Sequence, residues 1–285
     1  MNQPRSYVSL LTGSFSTPAA GNPTVVMVEA AYRNHGLDAR YINCEVAPDA
    51  LGEAVRGARA MGWAGFNCSV PHKIAVLGHL DRIADSAELI GAVNCVVNRD
   101  GELVGENTDG RGFVASLQTI VDPAGQRIVV FGAGGAARAI AVESALAGAA
   151  SITVVNRSPD RGAELVELIR TRTQASAELA AWGDRYRVPE DAGIVVNATS
   201  IGLFGAAQRR LALEPGSLAP RMVVADVIPN PTTTPLLQDA QARGCATLDG
   251  RGMLVNQAVI GIGLWTGVDA DAPVMRRALE SELGE

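Results

Sequence analysis

The sequence predicts an α/β protein built from two parallel sheets, each with helices on both faces. Short apolar runs rich in β-branched residues alternate with longer segments of helical periodicity, and this alternation occurs in two series along the chain. Residues 121–125 break the pattern, and the boundary between the two series is expected near residues 109–121. A chain of 285 residues is long enough for each series to bury a core of its own.

The first series alternates strands and helices and includes a hairpin. Asp100-Gly101 predicts the tight turn of the hairpin, and Gly36 predicts the end of the first helix, because both places favour left-handed backbone. The predicted strands are residues 7–11, 39–44, 65–69, 93–98 and 102–105. The predicted helices are residues 25–35, 48–61, 72–80 and 113–120.

The second series has the same alternation. Ser158 and Pro159 predict the N-cap and first residue of one helix, and Gly244 predicts the end of another. The predicted strands are residues 127–131, 151–155, 194–197 and 223–227. The predicted helices are residues 135–147, 159–170 and 235–243, and two helical segments at 255–265 and 272–283 are expected to pack on the first domain.

The composition is that of a globular protein, with 47% hydrophobic and 19% charged residues. The net charge of −6 argues against nucleic acid as a partner, because binding to phosphates requires a positive face. The chain has no run of about 18 apolar residues that would span a membrane, so we expect no membrane partner. The cysteine pattern favours reduced thiols and so a cytoplasmic location. The four cysteines lack the spacing of metal ligands or redox pairs, so no metal site is expected.

Lysine is nearly absent from the chain. The 24 basic residues comprise 23 arginines and a single lysine, Lys73. Arginine is effectively always protonated, whereas lysine can exchange a proton. A bias that replaces lysine by arginine should spare lysine only where proton exchange is required. Lys73 is therefore either a chance survivor of this bias or a residue with a chemical role.

A glycine-rich turn follows the predicted strand 127–131 and opens the next helix. Residues 132–137 match the pattern G-x-G-x-x-A, in which Gly132 permits the tight turn, Gly134 allows close approach to a pyrophosphate and Ala137 allows close packing of helix on strand. The start of a helix also favours anions. The motif therefore predicts a Rossmann-type domain that binds a dinucleotide. The predicted contacts in the turn are Gly132, Ala133, Gly134, Gly135 and Ala136.

The end of the following strand predicts which dinucleotide binds. Domains that bind NAD usually place Asp or Glu there to hold the ribose hydroxyls, whereas this strand ends in Asn156, Arg157 and Ser158, with Arg161 one turn later. Arg157 can pair with a 2′-phosphate and stack on adenine, and Ser158 adds a donor. We therefore expect these four residues to bind NADP.

Four further stretches place short polar residues beside Gly or Pro, at strand ends or helix starts. They are residues 67–73, 91–94, 107–110 and 252–257. Ligands of open α/β sheets bind at the carboxyl ends of the strands. Together the stretches offer a set of side chains that suits a small polyhydroxylated molecule. This set is Lys73, Asn94, Asp109 and Gln257.

The stretches resemble the motifs of the shikimate dehydrogenase family, and the resemblance covers nearly the whole chain. The family patterns are N-V-T-x-P-x-K, G-A-V-N-T, N-T-D-G-x-G-F, G-A-G-G-A, N-R-T, N-A-T-S-x-G and G-x-G-M-L-v-x-Q. They correspond in order to residues 67–73, 91–95, 107–113, 132–136, 156–158, 197–202 and 250–257. The resemblance implies an N-terminal α/β substrate domain, a Rossmann-type doubly wound NADP-binding domain and a cleft between them.

The resemblance also implies residue roles. Lys73 is the catalytic acid/base and Asp109 its partner, while Ser69, Asn94, Asp109 and Gln257 bind the substrate. This agrees with the chemistry, because oxidation of a secondary alcohol by hydride loss needs a base for the hydroxyl proton. The implied residues near the nicotinamide are Thr199, Val227, Gly250 and Met253.

The chain departs from the family in the loop that holds the substrate carboxylate, where the family has H-S-x-S-P. One register aligns Ser14 and Ser16 with the two serines, and the other aligns Asn22 and Thr24, with an insertion upstream. Both pairs can donate to a carboxylate near a helix start, and Thr24 can equally be an ordinary cap. The sequence leaves both registers open.

Three smaller departures lie in other motifs. Ser69 and Cys95 replace threonines, and Pro229 replaces a tyrosine of the pattern D-V-x-Y-x-P. The last change removes a hydroxyl that is expected near the substrate, so the reaction type is better defined than the substrate.

The combined prediction is an NADP-dependent oxidoreductase that interconverts shikimate and 3-dehydroshikimate. Its partner is a small ring carboxylic acid, and the chain is a monomer or homodimer. The expected substrate domain is residues 1–108, completed by helices in 252–285, and the expected NADP domain is residues 109–251. The alternatives are a dehydrogenase of quinate or amino-shikimate, and a non-catalytic NADP(H)-binding regulator that kept the fold.

Overall fold

A computed structural model describes residues 8–203 and 209–284 and divides the chain into two compact units. The first unit contains the residues up to Thr108 together with those from Ala258 onward, and the second is Asp109–Gln257. Each unit holds a six-stranded sheet, which confirms the predicted α/β class. None of the described helices is long and apolar enough to cross a membrane.

The sheet of the first unit is mixed, where the sequence predicted a parallel one. Its strands are β1 Leu10–Ser16, β2 Ala39–Glu45, β3 Gly65–Cys68, β4 Arg82–Ile83, β5 Cys95–Arg99 and β6 Glu102–Glu106, in the order β2-β1-β3-β5-β6-β4. β5 runs antiparallel to both β3 and β6. The predicted hairpin at Asp100 and Gly101, which have φ values of 54° and 96°, turns the chain back and so excludes an all-parallel sheet.

The helices of the first unit surround this sheet. They are α1 Thr24–Asn34, α2 Leu51–Ala60, α3 His72–Ala75, α4 Asp85–Ile90 and α10 Ala272–Leu283, which packs on α1. Short 3₁₀ turns at Pro48–Ala50 and Val76–His79 replace parts of two predicted helices. Phe15, Trp63 and Phe66 form an aromatic core under one face of the sheet, with the rings of Phe15 and Phe66 stacked at 4.4 Å.

β1 lies later in the chain than predicted, and residue Tyr7 of the predicted strand is outside the described residues. The polar residues after Leu11 indicated a loop, but Thr12, Ser14 and Ser16 are buried in the strand. Thr12 forms a hydrogen bond with Tyr32 of α1 at 2.8 Å. Hydrogen bonds therefore allow a polar strand to be buried where hydrophobicity alone predicts exposure.

The sheet of the second unit is parallel throughout. Its strands are β7 Arg127–Phe131, β8 Ser151–Asn156, β9 Ser176–Ala181, β10 Ile194–Asn197, β11 Val223–Asp226 and β12 Ala246–Leu248. The order β12-β11-β10-β7-β8-β9 is that of the doubly wound dinucleotide-binding fold, with the order reversing between β7 and β10. Its helices are α5 Thr108–Leu117, α6 Gly135–Leu146, α7 Pro159–Arg172 and α8 Pro235–Ala242, together with the first half of α9 Gly250–Thr266, whose residues from Ala258 onward belong to the first unit.

α5 begins five residues before the predicted start, at Thr108. Gly110 and Gly112 made this first turn a poor helix candidate. Both glycines are needed for packing, because a Cβ on Gly110 would lie 2.4 Å from the Ala139 carbonyl oxygen and one on Gly112 would lie 2.5 Å from the Gln257 nitrogen. β4, α4, β9 and β12 were not predicted, because they are short or, like β9, mostly exposed and weakly apolar.

Candidate active site

The glycine-rich turn of the second unit lies where the strand order reverses. Gly132 follows β7 with a φ of 111°, and a Cβ on it would lie 3.1 Å from the Ala198 carbonyl oxygen at the end of β10. A Cβ on Gly134 or Gly135 would meet no heavy atom within 4 Å. The turn is therefore tight on the protein side and open on the other, as binding of a pyrophosphate requires.

A cavity of about 480 Å³ opens at this edge of the sheet. Its walls come from the turn after β7 and from the residues that follow β8, β10 and β11. Most of the predicted cofactor residues line it, namely Gly132, Ala133, Gly134, Gly135, Ala136, Asn156, Arg157, Ser158, Arg161, Thr199 and Val227. Trp182, Ser200, Leu203, Ile228 and Pro229 line it too, and sequence reasoning missed them as cofactor residues.

Two of the predicted cofactor residues are not in the cavity lining. A Cβ on Gly250 would lie 2.5 Å from the Val227 carbonyl carbon. The absence of a side chain at Gly250 therefore allows the start of α9 to pack closely against the backbone of Val227, which lines the cavity. Met253 is half-buried and packs against the apolar core of the second unit. Both residues support the wall through packing.

The end of β8 carries the basic side chains that favour a 2′-phosphate. The Asn156 amide donates to the Ser158 carbonyl at 2.8 Å and shapes the turn, while the guanidinium carbon of Arg157 lies 5.5 Å from the centre of the Trp182 ring. Ser158 is the N-cap residue of α7, as predicted, but its side chain makes no capping hydrogen bond. Backbone donors, arginines and a hydroxyl thus form a donor set that fits a dinucleotide phosphate.

A buried carboxylate, Asp226, links the loops that follow β10 and β11, and both loops line the cavity. It accepts hydrogen bonds from Asn197 Nδ2 at 3.0 Å, Thr234 Oγ1 at 2.7 Å and the Ile228 backbone nitrogen at 3.1 Å. Asn197 Oδ1 in turn accepts from the backbone and hydroxyl of Thr199. Burial raises the pKa of Asp226 to about 6. The sequence signal was Asn and Asp ending adjacent strands.

In the first unit, the two candidate pairs for the substrate loop meet. Ser14 Oγ donates to Asn43 Oδ1 at 2.9 Å, and Asn22 Nδ2 donates to Ser14 Oγ at 3.2 Å. Thr24 begins α1, and its nitrogen donates to Asn22 Oδ1 at 3.0 Å. Ser14 and Ser16 are buried in β1, so the first register places neither of its serines at a helix start. Thr24 occupies the helix start, as in the second register.

Two further polar residues extend this group across the sheet. The buried Tyr41 hydroxyl donates to Asn67 Oδ1 at 2.7 Å, and Asn67 Nδ2 donates to the Asn94 carbonyl at 3.0 Å. Burial raises the pKa of Tyr41 well above its usual value, so the phenol stays protonated. We define the strand-end cluster as Ser14, Asn22, Tyr41, Asn43 and Asn67.

An anionic side chain and an unpaired hydroxyl lie at the end of β1. Glu45 pairs in register with Ser16 and accepts hydrogen bonds from Thr17 Oγ1 and from the Ala19 nitrogen at 2.6 Å. The hydrogen bond from Thr17 lowers the pKa of Glu45, so its carboxylate is charged at neutral pH. The buried Ser16 hydroxyl has no hydrogen-bond partner within the described part of the chain.

Lys73 lies at the start of α3, directly after β3. It is half-buried, and its carbonyl accepts from the Val93 nitrogen at 2.8 Å. The half-buried Ser69 precedes it, with its carbonyl accepting from the His72 nitrogen at 2.7 Å. The chain segment that carries Lys73 is thus tied to the segment that carries Asn94.

Asn94 is buried and anchors the start of α5. Its Oδ1 accepts from the Thr108 nitrogen at 2.6 Å, and its Nδ2 donates to Thr108 Oγ1 at 3.0 Å. Asp109, the next residue, is half-buried and opens the second unit. Gln257, also in the second unit, is buried, and its Nε2 donates to the Leu254 carbonyl at 3.0 Å.

The chain matches two family models and curated relatives of the shikimate dehydrogenases. The model of the shikimate dehydrogenase substrate-binding domain matches residues 17–96, and that of the shikimate 5′-dehydrogenase C-terminal domain matches residues 250–280. Shikimate dehydrogenase (NADP(+)) of Desulforamulus reducens is 37% identical over 277 residues, covering 96% of this chain and 95% of the relative.

Two solved structures have the same fold over nearly the whole chain. The ligand-free 5-ketofructose reductase of Gluconobacter sp. strain CHM43 is 58% identical, with a TM-score of 0.95, and the match covers 97% of this chain and 100% of that one. Shikimate 5-dehydrogenase of Listeria monocytogenes, in complex with shikimate and NAD, is 32% identical, with a TM-score of 0.90 and coverage of 98% and 99%.

The identity and coverage of these relatives confirm the predicted class of enzyme, an NADP-dependent oxidoreductase. They also confirm the family that the motifs predict. This chain belongs to the shikimate dehydrogenase family.

Proposed function

We propose that the chain is an NADP(H)-dependent oxidoreductase that interconverts a secondary alcohol and a ketone on a small polyhydroxylated molecule. The cavity at the carboxyl edge of the parallel sheet carries the proposal, because its glycine turn and two arginines fit a phosphorylated dinucleotide. The bound cofactor supplies or accepts the hydride. The protein must therefore bind the substrate and move one proton.

Lys73 moves this proton. In the oxidation the lysine accepts the hydroxyl proton as hydride leaves, and in the reduction it returns a proton to the new alkoxide. Lysine can do both because its ammonium group exchanges protons, whereas a guanidinium stays protonated. Asp109 is the proposed partner that orients Lys73. The rarity of lysine in this chain supports the assignment, since Lys73 is the one position where arginine has not replaced it.

Asn94 has a positioning role in addition to any contact with the substrate. The oxygen and the nitrogen of its side-chain amide both form hydrogen bonds with Thr108, the residue before Asp109. The amide therefore fixes where α5 begins and, with it, the backbone of Asp109. Asn94, Ser69 and Gln257 remain the proposed partners of substrate hydroxyls.

The strand-end cluster favours a neutral polyol as substrate. Its side chains are amides and hydroxyls, which can donate and accept and so suit sugar hydroxyls. Glu45, charged at neutral pH, lies at the end of the same strands and disfavours a carboxylate. In the second register Asn22 and Thr24 stand at the positions of the family's serine pair, and Pro229 stands at the position of the tyrosine.

These features, with the 58% identity to a 5-ketofructose reductase, make 5-ketofructose the first candidate substrate. This compound is a neutral polyhydroxy diketone, and reduction of one carbonyl would give a ketohexose such as fructose. The proposed physiological chemistry is therefore ketone reduction by NADPH.

Shikimate and 3-dehydroshikimate are the second candidate pair. The motifs around Lys73, Asn94, Asp109 and Gln257 and the curated relatives named shikimate dehydrogenase favour it. Thr24 at the start of α1 also offers a helix N-terminus to a carboxylate.

A substrate screen separates the candidates. NADPH or NADH consumption is measured with 5-ketofructose and 3-dehydroshikimate, and NADP or NAD reduction with fructose, shikimate and quinate. We expect kcat/KM with NADPH to be at least about tenfold higher for 5-ketofructose than for 3-dehydroshikimate, a difference of about 1.4 kcal/mol. The reverse order would assign the shikimate reaction. Binding of NADPH with no turnover of any compound would contradict enzymatic function and favour a regulator.

A further inference from the structure

The pairing of β8 with β9 brings Arg157 and Trp182 together. Asn156 lies opposite Ala181 in the parallel register, so the next residue of each strand emerges at the same carboxyl edge. The guanidinium carbon of Arg157 lies 5.5 Å from the centre of the Trp182 ring, within the range of a cation–π interaction. Both side chains line the cofactor cavity.

The indole of Trp182 is held rigidly on its other sides. Its Nε1 donates to the Ala212 carbonyl at 2.9 Å. Its ring packs edge-on against Phe131, with centroids 5.3 Å apart, and Phe131 is fully buried at the end of β7. Arg157, in contrast, is an exposed side chain with several rotatable bonds. The tryptophan is thus a surface held by packing and a hydrogen bond, and the exposed arginine lies against it.

We propose that Trp182 is a positioning residue that holds Arg157 for the 2′-phosphate of NADP and thereby strengthens the preference for NADP over NAD. A guanidinium ordered before the ligand arrives loses less freedom on binding. The indole also leaves the edge of the guanidinium, with its N–H donors, exposed to an anion. The inference rests on the proposed role of Arg157 as the 2′-phosphate ligand.

The fold alone does not determine this preference. The Listeria relative with the same fold was crystallised with NAD. Selectivity must therefore come from side chains near the ribose, where Arg157 and Trp182 lie. A tryptophan that merely stacked on adenine would strengthen both dinucleotides equally, because both contain adenine.

Adenosine 2′,5′-bisphosphate and 5′-AMP test the proposal directly. They differ by the 2′-phosphate, and their binding needs neither substrate nor turnover. Dissociation constants are measured by calorimetry for the full chain and for W182A, W182F, R157A and the W182A/R157A double variant. Tyr186→Phe is the matched control, because Tyr186 also packs on Phe131, at 5.5 Å, but is not the ring beneath Arg157.

We expect W182A to weaken the bisphosphate about 3- to 10-fold and to change 5′-AMP binding less than about twofold, since the cation–π contact acts through the 2′-phosphate. W182F, which keeps an aromatic face, should retain most of the discrimination. In the R157A background W182A should have no further effect, because a residue that acts through Arg157 loses its role with it. Thermal melting of each variant checks that it is folded.

Equal loss of both ligands in W182A would overturn the proposal, as would an undiminished effect of W182A in the R157A background. Unchanged discrimination in R157A would contradict the role of Arg157 itself. Failure of every substrate in the turnover screen would leave the binding result intact. The outcomes therefore separate this inference from the proposed function.

Discussion

The cofactor cavity of the second unit and the strand-end cluster of the first unit are built in different ways. The cavity is built around a backbone turn in which glycines open the path to a phosphate. The cluster is built from side chains of β1, β2, β3 and the loop before α1, joined by amide and hydroxyl hydrogen bonds. Backbone recognition tolerates little change in sequence, whereas a side-chain network can change its ligand through single substitutions.

Replacement of Lys73 should have the largest effect, because it should lower turnover while leaving the binding of both ligands nearly unchanged. Lys73→Arg keeps the positive charge but removes the exchangeable proton, so kcat should fall by about 100- to 10,000-fold. Substrate and NADPH dissociation constants should change by less than about threefold, a difference of under 1 kcal/mol. Single-turnover kinetics and equilibrium binding measure the two effects. Turnover close to that of the unaltered protein would contradict the acid/base role.

Packing of the first unit gives the next largest effect. A Cβ on Gly65 would lie 2.2 Å from the Val96 carbonyl oxygen and 2.3 Å from Trp265 Nε1, the pair that forms a hydrogen bond at 3.0 Å. Gly65→Ala should therefore lower the free energy of unfolding by about 3 kcal/mol, the upper end for overpacking. Urea denaturation measures it.

The control for this variant is Gly57→Ala. Gly57 lies in α2, where a Cβ would come no closer than 3.9 Å to the Met61 methyl group. Alanine there should stabilise the helix by about 0.5–1 kcal/mol. Equal effects of the two substitutions would show that the close approach at Gly65 carries no energetic consequence.

Asp226 links stability to pH in the second unit. Its pKa rises from 3.8 to about 6 on folding, so the folded state binds more protons than the unfolded state between these values. Stability should therefore fall as pH rises from 4 to 6, by roughly 3 kcal/mol for this group, and then level off. Asp226→Asn should remove this contribution. Urea denaturation at pH 5 and pH 7.5 measures how much stability the unaltered protein and the variant each lose as the pH rises. Equal losses in the two proteins would contradict the assignment.

The strand-end cluster should respond to Asn43→Ala with the smallest effect. The substitution removes hydrogen bonds to Ser14 and to the Asn22 carbonyl. KM for 5-ketofructose should rise about tenfold, or 1.4 kcal/mol, while the NADPH dissociation constant stays unchanged. Asn34→Ala, at the exposed end of α1, is the matched control. Weakened NADPH binding in the Asn43 variant would break the distinction between the two regions.

The second unit could be predicted from sequence more fully than the first. The boundaries of β7 and β10 were correct, and the glycine turn was correct because its signal is local: a strand, three glycines and a helix. Trp182 was missed because its relation to Arg157 depends on the pairing of β8 with β9, a weakly apolar strand that the sequence pattern did not reveal.

The first unit contains the opposite case. Ser14 and Ser16 were recognised as candidates, but the burial of Ser14 in β1 depends on partners 29 and 8 residues away, Asn43 and Asn22. The start of α5 was also missed, because the amide that anchors it belongs to Asn94, which lies 14 residues before Thr108 and directly before β5. Local patterns predict local structure, and hydrogen bonds between distant residues decide the rest.

The placement of Trp182 has a practical optical consequence. Trp63 and Trp265 are buried in the first unit, with 6% and 7% of their surface exposed, whereas Trp182 is half-buried in the cavity wall of the second. Ultraviolet emission from the chain therefore combines two shielded indoles with one that a nucleotide can quench. Titration with NADP should dim the longer-wavelength part of the spectrum and leave the emission of the first unit as an internal reference.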